Sequence, residues 1–362
     1  MSSGILPSQS IHALYHSGVI RSDLALVDGQ VQPASLDLRL GRRVWRVRAS
    51  FLPGPDRSVR ERLGRIALHE IDLTNGAVLE TGAVYIAEIL ESLQLPQDLL
   101  AAANPKSSTG RLDVFTRVIT DKAREFDQIE AGYHGPLFLE ISPRTFPILV
   151  RTGSRLSQLR FRKGEVRLDD QELSALHLRS RLVTSSEPSI QNGIAVSVDL
   201  SGFGTSQLVG YRAKKHTGLV DVDRVGAYDV DEYWDPLYAR GERDIILDPG
   251  QFYILASKEA VHVPPDHAAE MTPFDPLVGE FRVHYAGFFD PGFGHAASGG
   301  SGSRAVLEVR SRDVPFILED GQTVGRLVYE RMAAVPEQLY GSGLGSNYQA
   351  QGLKLSKHFK PI

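Results

Sequence analysis

Residues 104–115, with the sequence NPKSSTGRLDVF, concentrate polar and charged side chains of the kind that binds phosphate. Six consecutive positions carry Lys106, Ser107, Ser108, Thr109, Gly110 and Arg111. Hydroxyls, backbone amides and two cations can hold an anion between them, and glycine lets the backbone approach it closely. An isolated run of this kind is also a common polar surface turn. Two interpretations therefore stand, an anion-binding turn and a solvated loop.

The elements that must position this cluster are mostly strands. ILESLQL at residues 89–95 is strand-like, and the proline turn after it places the cluster where a loop enters a short helix. Short β-branched and aromatic runs separated by Gly, Pro and Asp recur along the chain, which is typical of a sandwich or small barrel. We predict a mainly β fold with a few short helices, among them one that Ser8 caps and one that Asp170 caps.

The composition excludes several classes of function. The chain has 362 residues, 42% of them hydrophobic, which suffices for about two domains with real cores. It carries 40 basic and 44 acidic residues, so we expect no nucleic-acid or membrane partner. No apolar run approaches about 18 residues and MSSGILPSQS lacks the features of a secretory signal, so we expect a cytoplasmic protein. The absence of cysteine excludes thiolate nucleophiles and thiolate metal sites.

The sequence repeats itself at an offset of 168 positions. The landmarks that recur are the pairs Leu79/Leu247, Gly82/Gly250, Tyr85/Tyr253, Pro147/Pro315 and Gly153/Gly321, together with FLEI at Glu140 and VLEV at Glu308. A period this long indicates two related domains and not a solenoid of small repeats. We place the boundary in the linker-like stretch VTSSEPSIQNG, which predicts domains at residues 1–185 and 186–362.

The KSSTGR cluster belongs to the first copy only. Under the same offset its Lys106, Ser107 and Arg111 fall on phenylalanine, aspartate and glycine. The fold therefore does not require the cluster, which favours a functional role over a solvated loop.

Further motifs stand in a recognisable order. They are IHALYHSGVI at residues 11–20, ASLDLRLG at 34–41, IEAGYHG at 129–135, AGFFDPGFG at 286–294 and NYQAQG at 347–352. With KSSTGR they resemble the trimeric dCTP deaminases of the dUTPase superfamily. That family has the phosphate motif R-S-S-x-x-R, in which Lys106 here replaces the first arginine. It also has an A-x-x-D-x-R-L-G strand, an I-D-x-G-[WF]-x-G turn followed by L-E, and a K-Y-x-x-Q-x-G ending.

The resemblance implies two tandem dUTPase-like domains of β-barrel or jelly-roll type and the deamination of dCTP to dUTP and ammonia. In this family a glutamate takes a proton from the attacking water and returns protons to the departing ammonia. Glu308 and Glu140 are the candidates, because apolar neighbours raise the pKa of a carboxylate toward the range needed. The alternative for each glutamate alone is an exposed strand position or a structural ion pair.

The family's active site lies between two subunits, which here predicts one composite site per pair of domains. Residues 106–111 would hold the phosphates, and Glu308 would act as general acid and base, with Glu140 as the second candidate. The substrate-binding residues predicted in the second copy are Ala286, Asp290, Val306, Leu307, Tyr348 and Gln351. The resemblance implies no catalytic zinc, and Mg²⁺ is expected only as the counterion of the triphosphate.

Other functions remain open. A dUTP diphosphatase would use an aspartate of the I-D-x-G turn, a role that suits Asp290, to activate water against the α-phosphate. A bifunctional enzyme would catalyse both reactions, and a non-catalytic nucleotide-binding protein would catalyse neither. The resemblance implies dCTP or dUTP as ligand and a homo-oligomer, and it leaves feedback by dTTP open.

Overall fold

The computed structural model describes most of the chain as two compact β units. The described residues are 3–185, 187–203, 206–239, 241–273, 281–284, 287–296, 301–311, 313–341 and 352–361. The first unit comprises Met1–Gly164, Lys215–Asp229 and Ser356–Ile362, and the second comprises Glu165–Lys214 and Val230–Leu355. Within the described residues, no helix is both long and apolar enough to cross a lipid bilayer.

Short elements separated by turns build the first unit. In chain order they are β1 (Gly4–Ile5), α1 (Ser8–His16), β2 (Ile20–Ser22), β3 (Leu36–Val47), α2 (Val59–Ile66), β4 (Ala67–Asp72), β5 (Ala77–Leu79), β6 (Val84–Gln94), β7 (Leu100–Pro105), α3 (Ser107–Gly110), β8 (Val114–Thr120), β9 (Gln128–Ile129), β10 (His134–Pro143), β11 (Ile148–Val150) and β12 (Arg155–Lys163). Apolar strand residues such as Leu38, Ile86, Leu139 and Leu159 form its core.

The rest of the chain contributes the second unit and one further strand of the first. The elements are α4 (Asp170–Ser180), β13 (Ile194–Ser197), β14 (Leu208–Ala213), β15 (Val220–Asp221), α5 (Val230–Tyr233), β16 (Trp234–Tyr238), β17 (Asp244–Leu247), β18 (Tyr253–Val261), β19 (His267–Pro273), β20 (Phe281–His284), β21 (Phe288–Phe289), β22 (Ser303–Ser311), β23 (Phe316–Glu319) and β24 (Thr323–Arg331). Strand β15 belongs to the first unit, where it pairs in parallel with β11.

The two units share one strand order. In the first unit the order is β8-β10-β6-β3-β12-β7-β9, and the long strand β3 pairs with both β6 and β12. In the second unit β20-β22-β18-β14 and β13-β24-β19-β21 repeat the two halves of this order. The single strand β3 is therefore replaced by two strands, β13 and β14. The predicted fold class, mainly β with two tandem related domains and a few short helices, is confirmed.

The repeat also holds at the level of single residues. Tyr85 pairs with Ile141 in the first unit, and Tyr253 pairs with Val309 in the second, each 168 positions later. The hydroxyl of Tyr85 accepts a hydrogen bond of 3.1 Å from the Glu80 amide, and that of Tyr253 accepts one of 2.9 Å from the Asp248 amide. The same turn is built twice, which confirms the duplication predicted from the sequence.

The start of each predicted helix differs by one residue from the sequence prediction. Pro7 is the N-cap of α1 and makes no side-chain cap bond, so Ser8 is the first helical residue and not the cap. Asp169 caps α4, because its carboxylate accepts from the Glu172 amide while the Glu172 side chain accepts from the Asp169 amide. That reciprocal capping box decides between the two adjacent aspartates.

The division into units departs from the predicted boundary between residues 185 and 186. Helix α4 lies before that boundary, yet its Leu173 and Leu176 pack in the core of the second unit, as do Leu182 and Val183. Burial of these side chains assigns residues 165–185 to the second unit. Conversely, residues 215–229 and 356–361 return to the first unit.

Candidate active site

The KSSTGR cluster forms a tight turn after strand β7. The turn is the short helix α3, in which the Gly110 amide donates to the Lys106 carbonyl at 3.0 Å and the Arg111 amide to the Ser107 carbonyl at 3.1 Å. Ser108, Thr109 and Gly110 are buried, and the side chain of Arg111 is only 3% exposed. The structure therefore places the cluster where the sequence predicted it, at a loop that enters a short helix, and it is not a solvated loop.

An acidic residue of strand β3 holds the lysine of this turn. Asp37 pairs in register with Gln158 of β12, and Gln158 pairs with Asn104 of β7, so the three side chains form a row beside the turn. Oδ2 of Asp37 binds the Lys106 ammonium and lies 3.4 Å from the guanidinium of Arg155. Asp37 is 1% exposed, and its carboxylate orients the two cations.

Arg39, two residues after Asp37 in the motif ASLDLRLG, has a structural role. Nε of Arg39 donates to Glu91 Oε1 at 2.7 Å, and its Nη atoms donate to the Ala25 and Leu24 carbonyls at 2.8 Å. Both members of this ion pair are almost fully buried. The motif ASLDLRLG thus serves both the fold, through Arg39, and the turn, through Asp37.

The end of the chain docks beside the same turn, within the first unit. The Ser356 hydroxyl lies 2.8 Å from the carbonyl oxygen of Ser108 and 2.8 Å from Nδ1 of His358. Nε2 of His358 lies 2.9 Å from the Val222 carbonyl and can donate to it. Burial lowers the pKa of His358 to about 4, so at neutral pH the ring is uncharged.

Glu140 of strand β10 is held in an ion pair. Its Oε1 accepts hydrogen bonds from Nε of Arg117 at 3.2 Å and from Nη2 at 2.8 Å, and its Oε2 accepts one from the Ser50 hydroxyl at 2.5 Å. The Arg117 guanidinium in turn lies 3.5 Å from the centre of the Phe126 ring. Glu140 is 1% exposed. This arrangement matches the structural alternative considered for a strand glutamate.

The second candidate base lies at the equivalent position of the second unit. Glu308 of strand β22 is 5% exposed and stands between the fully buried Leu307 and Val309, with Val306 7% exposed. In the ladder its backbone pairs with Ile254 and His284. Its flanks are therefore apolar, as the sequence predicted.

Asp290 lies in the turn that follows strand β21. Its backbone carbonyl accepts a hydrogen bond of 3.0 Å from the Phe293 amide, and its side chain is buried. The rings of Phe289 and Phe293 meet edge to face at 5.1 Å, which fixes the turn. Three other predicted substrate-binding residues, Ala286, Tyr348 and Gln351, lie outside the described residues.

The predicted site residues thus fall on two units. Residues 106–111 belong to the first, and Asp290, Val306, Leu307 and Glu308 belong to the second. The composite site stays a prediction. In the part of the chain that the structure describes, no three His, Asp or Glu side chains gather as metal ligands would.

Sequence reasoning missed Asp37, Arg155 and the C-terminal Ser356 and His358 as neighbours of the turn. A carboxylate that alternates with leucines in the strand LDLRL was the one available signal for Asp37.

Comparison with known proteins identifies the family of the chain. The N-terminal domain of 2'-deoxycytidine 5'-triphosphate deaminase matches residues 2–165 as a family model, and its C-terminal domain matches residues 169–359. The chain belongs to the dCTP deaminase family. The crystal structure of the 2'-deoxycytidine 5'-triphosphate deaminase from Agrobacterium tumefaciens is 64% identical, with a TM-score of 0.91 over 95% of this chain and 100% of that chain.

Other members of the dCTP deaminase family match a shorter stretch of this chain. The dCTP deaminase of Halorubrum lacusprofundi is 33% identical over 138 residues, which are 37% of this chain and 64% of that protein. The "dCTP deaminase, dUMP-forming" of Methanoculleus marisnigri is 33% identical over 159 residues, or 43% of this chain and 79% of that protein. The chain thus spans less than two thirds of the length of the first of these relatives.

Proposed function

We propose that this protein deaminates dCTP to dUTP and ammonia, with Glu308 as general acid and base. The observation that carries the proposal is the buried carboxylate of Glu308 between apolar neighbours, at the position of the family's L-E motif. Membership in the dCTP deaminase family supplies the reaction.

The proposed chemistry is one addition and one elimination at C4 of cytosine. Water adds to C4 while Glu308 takes its proton, and the carboxylic acid then returns protons toward the amino group. The C4–N4 bond breaks, so that one water is consumed and one ammonia is released. A glutamate with apolar flanks suits both steps, because burial favours the protonated form that must exist between them.

The turn at residues 106–111 would bind the phosphates. Its hydroxyls, its buried Arg111 and the Lys106 ammonium that Asp37 orients are groups that hold phosphate oxygens. Magnesium would arrive as part of the substrate, bound to the triphosphate, because a triphosphate carries more negative charge than two cationic side chains neutralise. Among the substrate-binding residues we retain Asp290, Val306 and Leu307, with Ala286, Tyr348 and Gln351 as sequence-based members.

Between the two glutamates the geometry favours Glu308. Glu140 already accepts three hydrogen bonds from Arg117 and Ser50. A carboxylate that holds Arg117 and Ser50 in place already has a structural role, which leaves it less suited to contact a substrate.

A bifunctional enzyme is the second candidate, and Asp290 is the observation that favours it. A buried aspartate in the turn after β21 is the group that a diphosphatase would use to activate water at the α-phosphate. Several curated relatives are dUMP-forming by their names. We also propose a cytoplasmic homo-oligomer.

Incubation with dCTP and with dUTP separately, with assays for ammonia and pyrophosphate, tests these alternatives. Ammonia from dCTP without pyrophosphate identifies a deaminase, and both products from dCTP identify the dUMP-forming reaction. Pyrophosphate from dUTP alone identifies a diphosphatase. Binding of either nucleotide without any product would leave the non-catalytic binding protein.

A further inference from the structure

A cavity of about 320 Å³ lies in the first unit, beside helix α2. Its volume is at the small end of the range of about 300 to 1,000 Å³ that is usual for small-molecule sites. The residues that line it come from the segment after strand β3 and from α2, and they are Arg48, Ala49, Ser50, Phe51, Arg62 and Ile66. None of them belongs to the turn at residues 106–111 or is a predicted site residue. The cavity is therefore a separate feature of the unit.

Local hydrogen bonds hold the walls of this cavity in place. The Arg48 amide donates to the Ile66 carbonyl at 3.2 Å, which ties the chain after β3 to the end of α2. Helix α2 is capped at its start by a reciprocal pair of bonds between Ser58 and Glu61. Arg62 and Ile66 are four positions apart on this helix and thus share a face. A fixed backbone therefore presents the two arginines of the cavity.

The chain around the cavity is rich in arginine. Residues 42–65 contain eight arginines and two acidic residues, although the whole chain has a formal charge of −4. One of these arginines is paired, because Arg60 of α2 binds Glu88 at 2.6 Å. No carboxylate pairs with Arg48 or Arg62 in the part of the chain that the structure describes. Their two positive charges favour an anion in the cavity.

A buried donor at the cavity also lacks an acceptor. Nε of Arg62 is buried and has no hydrogen-bond partner among the described residues. Glu61, its acidic neighbour, is engaged instead with the amide and the hydroxyl of Ser58, at 2.6 and 3.1 Å. A buried N–H without an acceptor is destabilising and indicates a bound water, ion or ligand. An anion in the cavity would supply that acceptor.

The nearby carboxylate of Glu140 does not cancel this preference. The Ser50 hydroxyl donates to Oε2 of Glu140 and accepts from Nη2 of Arg117 at 2.8 Å. Arg117 also balances the charge of Glu140 through their ion pair of 2.8 Å. Phe51 packs against an apolar cluster of the unit and gives the cavity an apolar wall. The cavity thus combines two cations with a surface for an apolar group.

We propose that this cavity binds a small phosphate monoester with a flat apolar group, which is the chemistry of a nucleoside monophosphate. Arg48 and Arg62 bind the phosphate oxygens, because guanidinium groups match phosphate in geometry and charge. The base packs against Phe51 and Ile66. The small volume favours one phosphate over three. The inference is independent of the proposed function, since it uses none of the residues to which the reaction is assigned.

The test is calorimetric binding of dUMP, inorganic phosphate and deoxyuridine to the full-length protein. We expect dUMP to bind, phosphate to bind more weakly and deoxyuridine to show no binding. Arg48→Met and Arg62→Met should each weaken dUMP binding about tenfold or more, because each removes a charge-assisted contact. Arg65→Met is the matched control and should change the affinity less than twofold, since Arg65 is an exposed arginine of the same helix that does not line the cavity.

A second comparison separates this site from the turn at residues 106–111. Arg111→Ala should leave dUMP binding at the cavity within twofold of the wild type, and Arg48→Met should leave the KM for dCTP within twofold. Loss of dUMP binding in Arg111→Ala but not in Arg48→Met would assign the nucleotide to the turn and overturn the proposal. If the wild type releases no ammonia but dUMP binding still depends on Arg48, the deaminase function fails and this site stands.

The remaining outcomes also decide. The absence of dUMP binding to the wild type overturns the proposal, and equal affinities for phosphate and dUMP overturn its nucleotide part. Arg48 is exposed, so its substitution should leave the fold intact. If Arg62→Met does not fold, Arg48→Met alone therefore decides, and unchanged dUMP affinity in that variant rejects the site.

Discussion

Glu140 and Glu308 occupy the same place in two copies of one β framework, 168 positions apart, and their surroundings differ. The ladder neighbour of Glu140 on β8 is Arg117, which binds it, whereas the neighbour of Glu308 on β20 is His284. Duplication thus left Glu140 in a structural ion pair, whereas Glu308 stands between apolar neighbours.

The difference shows how its neighbours can commit a buried carboxylate to a structural role instead of proton transfer. A guanidinium and a hydroxyl that bind a buried glutamate tie it to the fold, and removal of one partner leaves the other buried without its counterpart. The turn at residues 106–111 shows the opposite difference, because it belongs to the first copy and has no counterpart of that sequence in the second. Each copy has therefore specialised in a different half of the proposed site.

The largest effect should come from exchanging the two glutamates for glutamine. Glu308→Gln should lower turnover of dCTP by about 10² to 10⁴ through loss of proton transfer, while nucleotide binding is retained. Glu140→Gln should cost much less. Steady-state rates of ammonia release from both variants test this expectation. If each variant keeps about half of the wild-type rate, the chain has two independent sites.

The ion pair of Glu140 should contribute to the free energy of unfolding. Glu140→Gln breaks a pair in which the carboxylate is 2% exposed and the guanidinium 26% exposed, so we expect a loss of about 2 to 4 kcal/mol in the free energy of unfolding. Urea unfolding measures this loss, and the double variant Arg117→Met, Glu140→Leu should recover part of it. A Glu140→Gln protein as stable as the wild type would show that the ion pair does not support the fold.

Docking of residues 356–361 beside the turn at residues 106–111 should depend on pH. The docked His358 has a pKa of about 4 against an ordinary 6.5, so the docked segment binds fewer protons than the free one. Docking is then strongest above pH 6.5 and weakens toward pH 4, by about 3 kcal/mol at most. The nearby Asp221 and Asp223 oppose this shift, and Lys357 adds to it.

Hydrogen exchange of the Ala227 and Tyr228 amides, corrected for the intrinsic rate, reports this docking. Both amides donate to the His358 carbonyl. Protection should fall between pH 6.5 and 4 in the wild type, and His358→Gln should abolish that dependence. Protection that rises on acidification would show that the sign is wrong.

Arg111 offers a smaller test on the other half of the comparison. Arg111→Ala should weaken triphosphate binding by about 1.5 to 3 kcal/mol, the usual range for a charge-assisted contact. Far-ultraviolet circular dichroism checks that the fold is retained. An unchanged apparent affinity for dCTP would take the turn out of the site.

Removal of zinc should have no effect on the rate of ammonia release. Without cysteine the chain cannot offer the thiolates of zinc deaminases. Exhaustive treatment with a zinc chelator, with magnesium in excess, should therefore leave the rate of ammonia release unchanged. Loss of activity that zinc alone restores would replace the proposed mechanism.

The sequence was sufficient for the framework because its information is local and repeated. Gly82 and Gly250 adopt φ values of +73° and +70° and donate to Pro143 and Ser311, so the same turn residues recur with the same bonds. Strand patterns and such turns predict a duplicated β fold. The cluster at residues 106–111 was also readable, because its chemistry lies in consecutive residues.

Contacts between distant residues were beyond the sequence. Lys106 and Asp37 are 69 positions apart, and Ser356 and Ser108 are 248 apart. A strand aspartate and a basic tail carry no signal that they will meet at one turn. The sequence also could not predict that two strands, β13 and β14, take the place of β3 in the second unit, because this depends on strand pairing and not on local pattern.

The segments that complete the first unit have a consequence for the order of folding. Strand β15 joins that unit after residues 165–214 of the second unit have been synthesised, and residues 356–361 join it after the whole second unit has been synthesised. A nascent chain can form β1 to β12 early, but closing such long loops comes late and is slow. The first unit is therefore the last to be finished, although it is the first to be made. A fragment that stops at residue 165 would lack both β15 and residues 356–361, which dock beside the turn at residues 106–111. It should bind triphosphate poorly even if it folds.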